Sequence, residues 1–287
     1  MKSLKGTGVA LVTPFKTTGE VDYDGLTKLL NHTAAEVDYL VVHGTTGESA
    51  TTTADEKNKI LRHIIDHNSS KLPIIYGIGG NNTMGVITTI KDTNFVGIDA
   101  ILSVSPYYNK PTQEGIIAHF TKIADECPVP VILYNVPSRT STNLEASTTI
   151  ELAKHPNIIG IKEASGNVEQ SIEIVKNTPE DFMLISGDDM LTPTLMSVGA
   201  IGVISVLANV FPQVFSATMA LAFEEKFEKA TATLQQLSSI NPLMYEESNP
   251  VGLKEALYQM GICNNTVRLP LLPASTRLSQ KIKTIIA

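Results

Sequence analysis

The residue best placed for chemistry in this 287-residue chain is a lysine inside an apolar run. The stretch Asn157-Ile158-Ile159-Gly160-Ile161-Lys162-Glu163-Ala164-Ser165-Gly166 reads as a short buried strand, bounded by Pro156 and Gly166. Lys162 sits near its C-terminal end. An ammonium is rarely buried without a partner. In an apolar interior desolvation disfavours the charged form, and the neutral amine attacks carbonyls, as Schiff-base lysines do. A lysine at a strand end also snorkels to water. The strand alone leaves both readings open.

Other runs end in residues suited to the same chemistry. In Tyr134-Asn135-Val136-Pro137-Ser138-Arg139-Thr140 the phenol of Tyr134 is a proton carrier for imine formation. Arg139 offers a two-pronged fork for a carboxylate, or else an ordinary surface salt bridge. Gly44-Thr45-Thr46-Gly47-Glu48-Ser49 combines a tight turn with two hydroxyls and backbone N–H groups, which suits a carboxylate; an ordinary Ser/Thr turn has the same composition. Tyr107 and Tyr108 lie in a proline-bounded loop, where packing or an interface explains them equally well. Gly187, in Ser186-Gly187-Asp188-Asp189, would let a ligand approach the backbone, and the aspartates read as helix caps. The run Gly202-Val203-Ile204-Ser205 would present a backbone carbonyl. His63 and His67 have the i, i+4 spacing of a metal pair but sit mid-helix on the outer ring, and His43 has no companion ligand in sequence. No metal site is expected.

These residues need a scaffold that brings strand ends together. Apolar runs recur at Gly8–Phe15, Tyr39–Gly44, Pro73–Gly79, Ala100–Pro106, Val129–Pro137, Ile158–Ser165, Phe182–Asp188 and Ala200–Ala208. Nearly continuous apolarity is the mark of parallel strands covered on both faces. Helical segments lie between them. Asp22, the Thr53-Ala54-Asp55-Glu56 capping box, Thr112, Asn143 and Asn167 are expected to open helices, and Met190–Val198 allows two turns more. Eight such units predict an α/β fold, a (β/α)8 TIM barrel, with its active site at the C-terminal ends of the strands. A doubly wound sheet would call for a glycine-rich nucleotide signature. In Gly77-Ile78-Gly79-Gly80-Asn81-Asn82, Asn82 stands where the third glycine belongs. After the barrel the pattern becomes helical, at Ala217–Gln236, Gly252–Gly261 and Ser275–Ile286. We expect a barrel over 1–224 and a small all-helical C-terminal domain over 225–287.

Composition narrows the classes. The net charge is −7 without a basic run, which argues against nucleic acid. No apolar run has the length of a membrane span, and Met1-Lys2-Ser3-Leu4-Lys5-Gly6 lacks a signal-peptide pattern. Two distant cysteines, Cys127 and Cys263, fit a reducing, cytoplasmic setting.

Taken together, Gly44-Thr45-Thr46-Gly47-Glu48, the Tyr134–Thr140 run and Gly160-Ile161-Lys162-Glu163-Ala164 resemble the pyruvate-dependent class I aldolases, the superfamily of N-acetylneuraminate lyase. Within it the chain looks like the 4-hydroxy-tetrahydrodipicolinate synthase (dihydrodipicolinate synthase) family over its whole length, including Asn249-Pro250 and Arg268-Leu269-Pro270-Leu271-Leu272-Pro273. The Ser138-Arg139-Thr140 continuation separates it from sialic acid lyases. The resemblance implies that Lys162 forms a Schiff base with pyruvate. Tyr134 would relay protons with Thr45 and with Tyr108 of a neighbouring subunit. Thr46 and the backbone at Ile204 would hold the pyruvate carboxylate near Gly187, and Arg139 would bind L-aspartate 4-semialdehyde. It implies a homotetramer in diaminopimelate and lysine biosynthesis, with no metal or organic cofactor. In feedback-inhibited members a lysine pocket follows the Ser49-Ala50 turn. Ser49, Ala50, Asn81 and Tyr107 match it, but Ala54 and Lys57 replace histidines and Gly85 replaces a glutamate. Weak or absent lysine inhibition is therefore expected.

Two other functions were weighed. A sibling aldolase acting on sialic acid or another 2-oxo acid would favour several hydroxyl-binding side chains over a lone arginine. A non-catalytic barrel binding small acids would be expected to lack the lysine or the tyrosine.

Overall fold

A computed structural model describes residues 4–286. The opening residues Met1, Lys2 and Ser3, read above for a targeting signal, lie outside them. Eight strands form a closed barrel in sequence order: β1 (Gly6–Ala10), β2 (Tyr39–Val42), β3 (Ile74–Gly77), β4 (Ala100–Val104), β5 (Val131–Asn135), β6 (Ile158–Glu163), β7 (Met183–Ser186) and β8 (Gly202–Ser205). The pairings are parallel and nearly every strand residue is buried, as continuous apolar runs require. Each strand is shorter than its apolar run, because the last residues of the run leave the ladder to form the site-bearing loops.

The helices are α1 (Tyr23–Thr33), α2 (Ala54–His67), α3 (Thr83–Asp92), α4 (Gln113–Glu126), α5 (Pro137–Thr140) and α6 (Ala146–Leu152). They continue with α7 (Val168–Asn177), α8 (Thr192–Ser197), α9 (Pro212–Phe223), α10 (Phe227–Gln235), α11 (Val251–Gln259) and α12 (Thr276–Ile286). Asp22, Thr112 and Asn167 cap α1, α4 and α7 as expected, and Thr53 with Glu56 closes a full capping box on α2. Asn82, which broke the nucleotide signature, caps α3 by accepting from the N–H of Gly85.

Three expectations need correction. Asn143 does not open α6; the N-cap is Glu145, whose N–H is met by Gln113 of α4. The Asn143 amide faces Asn135 and Gln170, a buried match that competes with capping. The single helix expected over Ala217–Gln236 is two, starting earlier at Pro212 and broken where Glu225 turns left-handed at φ 59°. The aspartates do not cap α8, whose N-cap is Leu191 without a side-chain bond; Asp188 instead accepts from Met190 and Leu191 N–H in the turn before it.

The contacts of the chain gather into two units. One holds residues 4–6 and 73–204, with the strands from β3 to β7 and most of β8. The other holds residues 7–72 and 205–286, with α1, β2, α2 and the helices from α9 to α12.

Candidate active site

Lys162 and Tyr134 are partners in register on β6 and β5. Residues opposite one another on adjacent parallel strands point to the same face, about 4.8 Å apart along the sheet. Both are buried, Lys162 only 5 % exposed, and its ammonium lies 4.5 Å from the centre of the Tyr134 ring. Among the described residues no carboxylate pairs with it. A buried amine held against a phenol, with no carboxylate partner among the described residues, is equipped for attack on a carbonyl with a proton carrier at hand.

The facing depends on an irregularity. Val131 pairs with Ile158, but Ile132 pairs with Gly160, so Ile159 is an extra residue in β6. Without this bulge the register would run on to oppose Tyr134 with Ile161, and the lysine would point to the other face. Gly160 is required there: a Cβ would stand 2.5 Å from the Met183 carbonyl of β7.

The remaining residues of this unit occupy strand ends. Arg139 is exposed on the single turn α5, and among the described residues no acidic side chain pairs with it, so the surface salt bridge weighed above is not formed. Ile204 is buried on β8. At Gly187 the close approach comes from β6: a Cβ would stand 2.6 Å from that of Ala164, and the Gly187 N–H donates to the Glu163 carbonyl. Tyr108 is left-handed, at φ 75°, and 88 % exposed. Its loop is tied by Asn81, whose amide donates to the Tyr107 carbonyl and whose own carbonyl accepts from Asn109.

In the other unit, Thr45–Gly47 forms a tight helical turn after β2. Thr46 is buried, and its hydroxyl oxygen accepts from the Asn249 amide at 3.1 Å. Thr13 donates to the Gly47 carbonyl at 2.7 Å. The turn closes on Glu48, left-handed at φ 51° and buried, with both carboxylate oxygens engaged. Oε1 accepts from Lys254 at 2.5 Å and Oε2 from the Arg268 N–H at 3.0 Å. Lys254 is fully buried, with its ammonium 4.1 Å above the Phe15 ring. Burial pushes the proton affinity of Lys254 down, against the opposing pull of Glu48. Arg268 packs on Phe15 as well and clamps Glu56 with two N–H donors, holding that carboxyl down at about 2. His63 and His67 stack at 3.9 Å and bond within the protein, to Thr27 and to the His63 carbonyl. Among the described residues there is no cluster of three metal-ligating side chains, and no helix is long and apolar enough to cross a membrane.

Comparison with known proteins identifies the family. The model of the dihydrodipicolinate synthetase family matches residues 3–287. The chain belongs to this family. It is 52 % identical over 284 residues to the 4-hydroxy-tetrahydrodipicolinate synthase of Cytophaga hutchinsonii, covering 99 % of this chain and 96 % of that one. It superposes on the chloride-inhibited dihydrodipicolinate synthase of Acinetobacter baumannii, solved with pyruvate, with a TM-score of 0.95 and 37 % identity, over 99 % of this chain and 98 % of that one. It is also similar to the enzyme of Cyanidioschyzon merolae solved with lysine bound, with a TM-score of 0.95 and 38 % identity, covering 100 % and 98 % of the two chains.

Family membership makes the chain an enzyme, a lyase built on a (β/α)8 barrel. Several buried polar residues of the two units carry little signal in the sequence. Asn249 was noted only as part of a motif, and Lys254 not at all, since a lysine inside a helix has the look of a surface residue. Glu163 was read as the neighbour of Lys162, although it is buried and takes hydrogen bonds from Asn135, Gln170 and the Ser165 N–H.

Proposed function

We propose that this chain condenses pyruvate with L-aspartate 4-semialdehyde to give 4-hydroxy-tetrahydrodipicolinate, the committed step toward diaminopimelate and lysine. The observation that carries the reading is the buried Lys162 amine held in register against Tyr134, without a carboxylate partner, in a chain of this family.

The chemistry follows in steps. The Lys162 amine attacks the keto carbon of pyruvate. Tyr134 protonates the carbinolamine oxygen, water leaves, and an imine forms. Loss of a methyl proton gives the enamine, which attacks the aldehyde carbon of the second substrate. That substrate's amine then displaces Lys162 as the ring closes. Thr45 and Tyr108, the latter reaching in from a neighbouring subunit, complete the proton relay with Tyr134. The exposure of Tyr108 in the single chain suits that role, within a homotetramer in the cytoplasm. Thr46 and the Ile204 backbone hold the pyruvate carboxylate, with Gly187 close by. Arg139, exposed and uncommitted, takes the carboxylate of the semialdehyde. We assign residues 1–224 to the catalytic barrel and 225–287 to a helical C-terminal domain.

Borohydride reduction in the presence of pyruvate, followed by peptide mass spectrometry, tests the mechanism. An adduct on Lys162 is expected; an unmodified Lys162 would sink it. Turnover of pyruvate with N-acetylmannosamine, and none with aspartate semialdehyde, would overturn the substrate assignment.

A further inference from the structure

Behind the Lys162 and Tyr134 pair, on the opposite face of the same two strands, lies a closed polar cluster. Asn135 and Glu163 follow those residues in sequence and are themselves partners in register. The Asn135 amide donates to Glu163 Oε2 at 3.0 Å and to Oε1 at 3.2 Å. Its own oxygen accepts from the Leu144 N–H at 2.9 Å, which settles which way the amide points. Gln170 of α7 donates to Glu163 Oε2 at 2.9 Å and to the Leu144 carbonyl at 3.1 Å, and its oxygen accepts from Asn143 at 2.8 Å. The Ser165 N–H donates to Glu163 Oε1 at 2.6 Å. Asn135 and Glu163 are both buried. Each of these donors meets an acceptor, and among the described residues no cation takes part.

We infer that Glu163, gripped by Asn135 and Gln170, is the positioning residue that holds Tyr134 opposite Lys162. The inference rests on the roles proposed above for those two residues. Its physical basis is the bulge at Ile159. A strand pair with an extra residue has a competing register without it, and a slip of one turns each side chain beyond it to the other face. The backbone ladder alone discriminates weakly between the two, because every parallel register offers similar hydrogen bonds. The polar cluster discriminates strongly. In the slipped register the Glu163 carboxylate would leave its donors and the amides would be buried unpaired. The Asn135–Glu163 pair lies one residue beyond the reactive pair, on the side away from the bulge, so the four residues are pinned together. Glu163 touches no reacting atom in this scheme. It acts through the placement of the phenol and the amine.

The test is a double-mutant cycle with Glu163→Gln and Tyr134→Phe, read by kcat, KM for pyruvate and the rate of borohydride trapping. Glutamine keeps the shape of glutamate but turns an NH2 toward groups that are all donors. E163Q is expected to lower kcat and the trapping rate by about 100-fold, the effect of a misplacement near 1 Å, with little change in KM. In the Y134F background the same substitution should lower kcat by no more than a few fold, since the phenol it positions is already absent. Gln170→Ala removes one donor from a helix rather than from the strand pair, and should fold readily while moving the same parameters by a smaller factor. E163Q/Q170E returns a donor and acceptor pair with the roles exchanged, and should recover part of the loss. Independent, multiplying effects of E163Q and Y134F would overturn the inference. So would a Q170A enzyme with unchanged kcat and trapping rate. Absence of trapping on Lys162 in the unaltered enzyme would instead identify failure of the underlying mechanism, and would remove the inference with it.

Discussion

Replacing Lys254 with methionine isolates the contribution of the buried ion pair behind the Thr45–Gly47 turn. Lys254 is fully buried and, among the described residues, supplies the only side-chain donor to Glu48 Oε1, at 2.5 Å; the other carboxylate oxygen keeps the Arg268 N–H. Methionine retains the contact with Phe15 but leaves Oε1 without that donor and also deprives the Thr266 carbonyl of a partner at 2.8 Å. Removing one member of a buried pair costs about 3 to 5 kcal/mol, because the survivor is left desolvated. The lost carbonyl bond adds about 1 kcal/mol. Urea denaturation followed by circular dichroism should therefore show a loss of roughly 4 to 6 kcal/mol, and thermal unfolding a fall of about 8 to 12 °C at ~2 °C per kcal/mol for a chain this long. The double variant K254M/E48Q supplies the control. A neutral glutamine still accepts from Arg268 and needs no counter-ion, so the double variant should regain at least about 1 kcal/mol over K254M alone. Because Glu48 closes the Thr45–Gly47 turn, K254M should also raise KM for pyruvate. A K254M loss below about 1 kcal/mol, or a double variant less stable than K254M, would refute the reasoning.

Two further outcomes are expected. Burial pushes His43 and His119 down to about 4, so both rings stay neutral in the fold while the unfolded chain takes up protons near 6.5. Their contribution is present in full above pH 6.5 and is lost as the pH falls toward 4, up to ~3 kcal/mol for each ring at 1.36 kcal/mol per tenfold. Denaturation between pH 7 and pH 4.5 should show this decline, His119→Gln should flatten it, and a profile level over that range would contradict the assignment. L-Lysine should inhibit weakly or not at all. Ala54 is exposed at the start of α2, Gly85 offers no carboxylate on α3, and Lys57 is a half-buried ammonium, itself pushed down by burial, with no acidic partner among the described residues. A second ammonium there meets like charge. Inhibition by sub-millimolar lysine would sink that prediction.

The barrel was legible because its signal is repeated. Eight apolar runs, each followed by helix-forming sequence, leave few other arrangements, and four of the five helix starts read from capping residues use those residues as caps. Asn143 shows where such local reasoning stops. Its side chain suits a cap, yet Asn135 and Gln170, distant in sequence, offer buried partners that win. The bulge at Ile159 was not legible either. Val131-Ile132 against Ile158-Ile159-Gly160 is apolar in any register, and counting from the strand starts locates Lys162 only to within one residue. That one residue decides whether the amine meets the phenol.

Two buried lysines of this chain stand in contrasting surroundings. Lys162 and Lys254 are both buried and both lie against an aromatic ring, at 4.5 Å and 4.1 Å. Lys254 is matched by Glu48 and by the Thr266 carbonyl, so its amine is committed to holding the fold. Among the described residues Lys162 has no carboxylate partner and lies against the ring, and the nearest carboxylate in sequence, Glu163, is satisfied by neutral amides. An amine with committed partners is a poor nucleophile, because attack would first break its hydrogen bonds. Turning Glu163 to the outer face keeps a counter-charge out of the barrel while using the carboxylate to fasten the strands. On this argument, introducing an acid on the inner face, as in Val104→Asp or Ile185→Asp at positions in register with Tyr134 and Lys162, should convert Lys162 into a paired lysine. Borohydride trapping with pyruvate should then slow by a factor of ten or more, at ~1.4 kcal/mol for each tenfold, even where the fold survives. Trapping at the unaltered rate in a folded V104D or I185D enzyme would show that isolation from carboxylates is not what leaves the amine reactive.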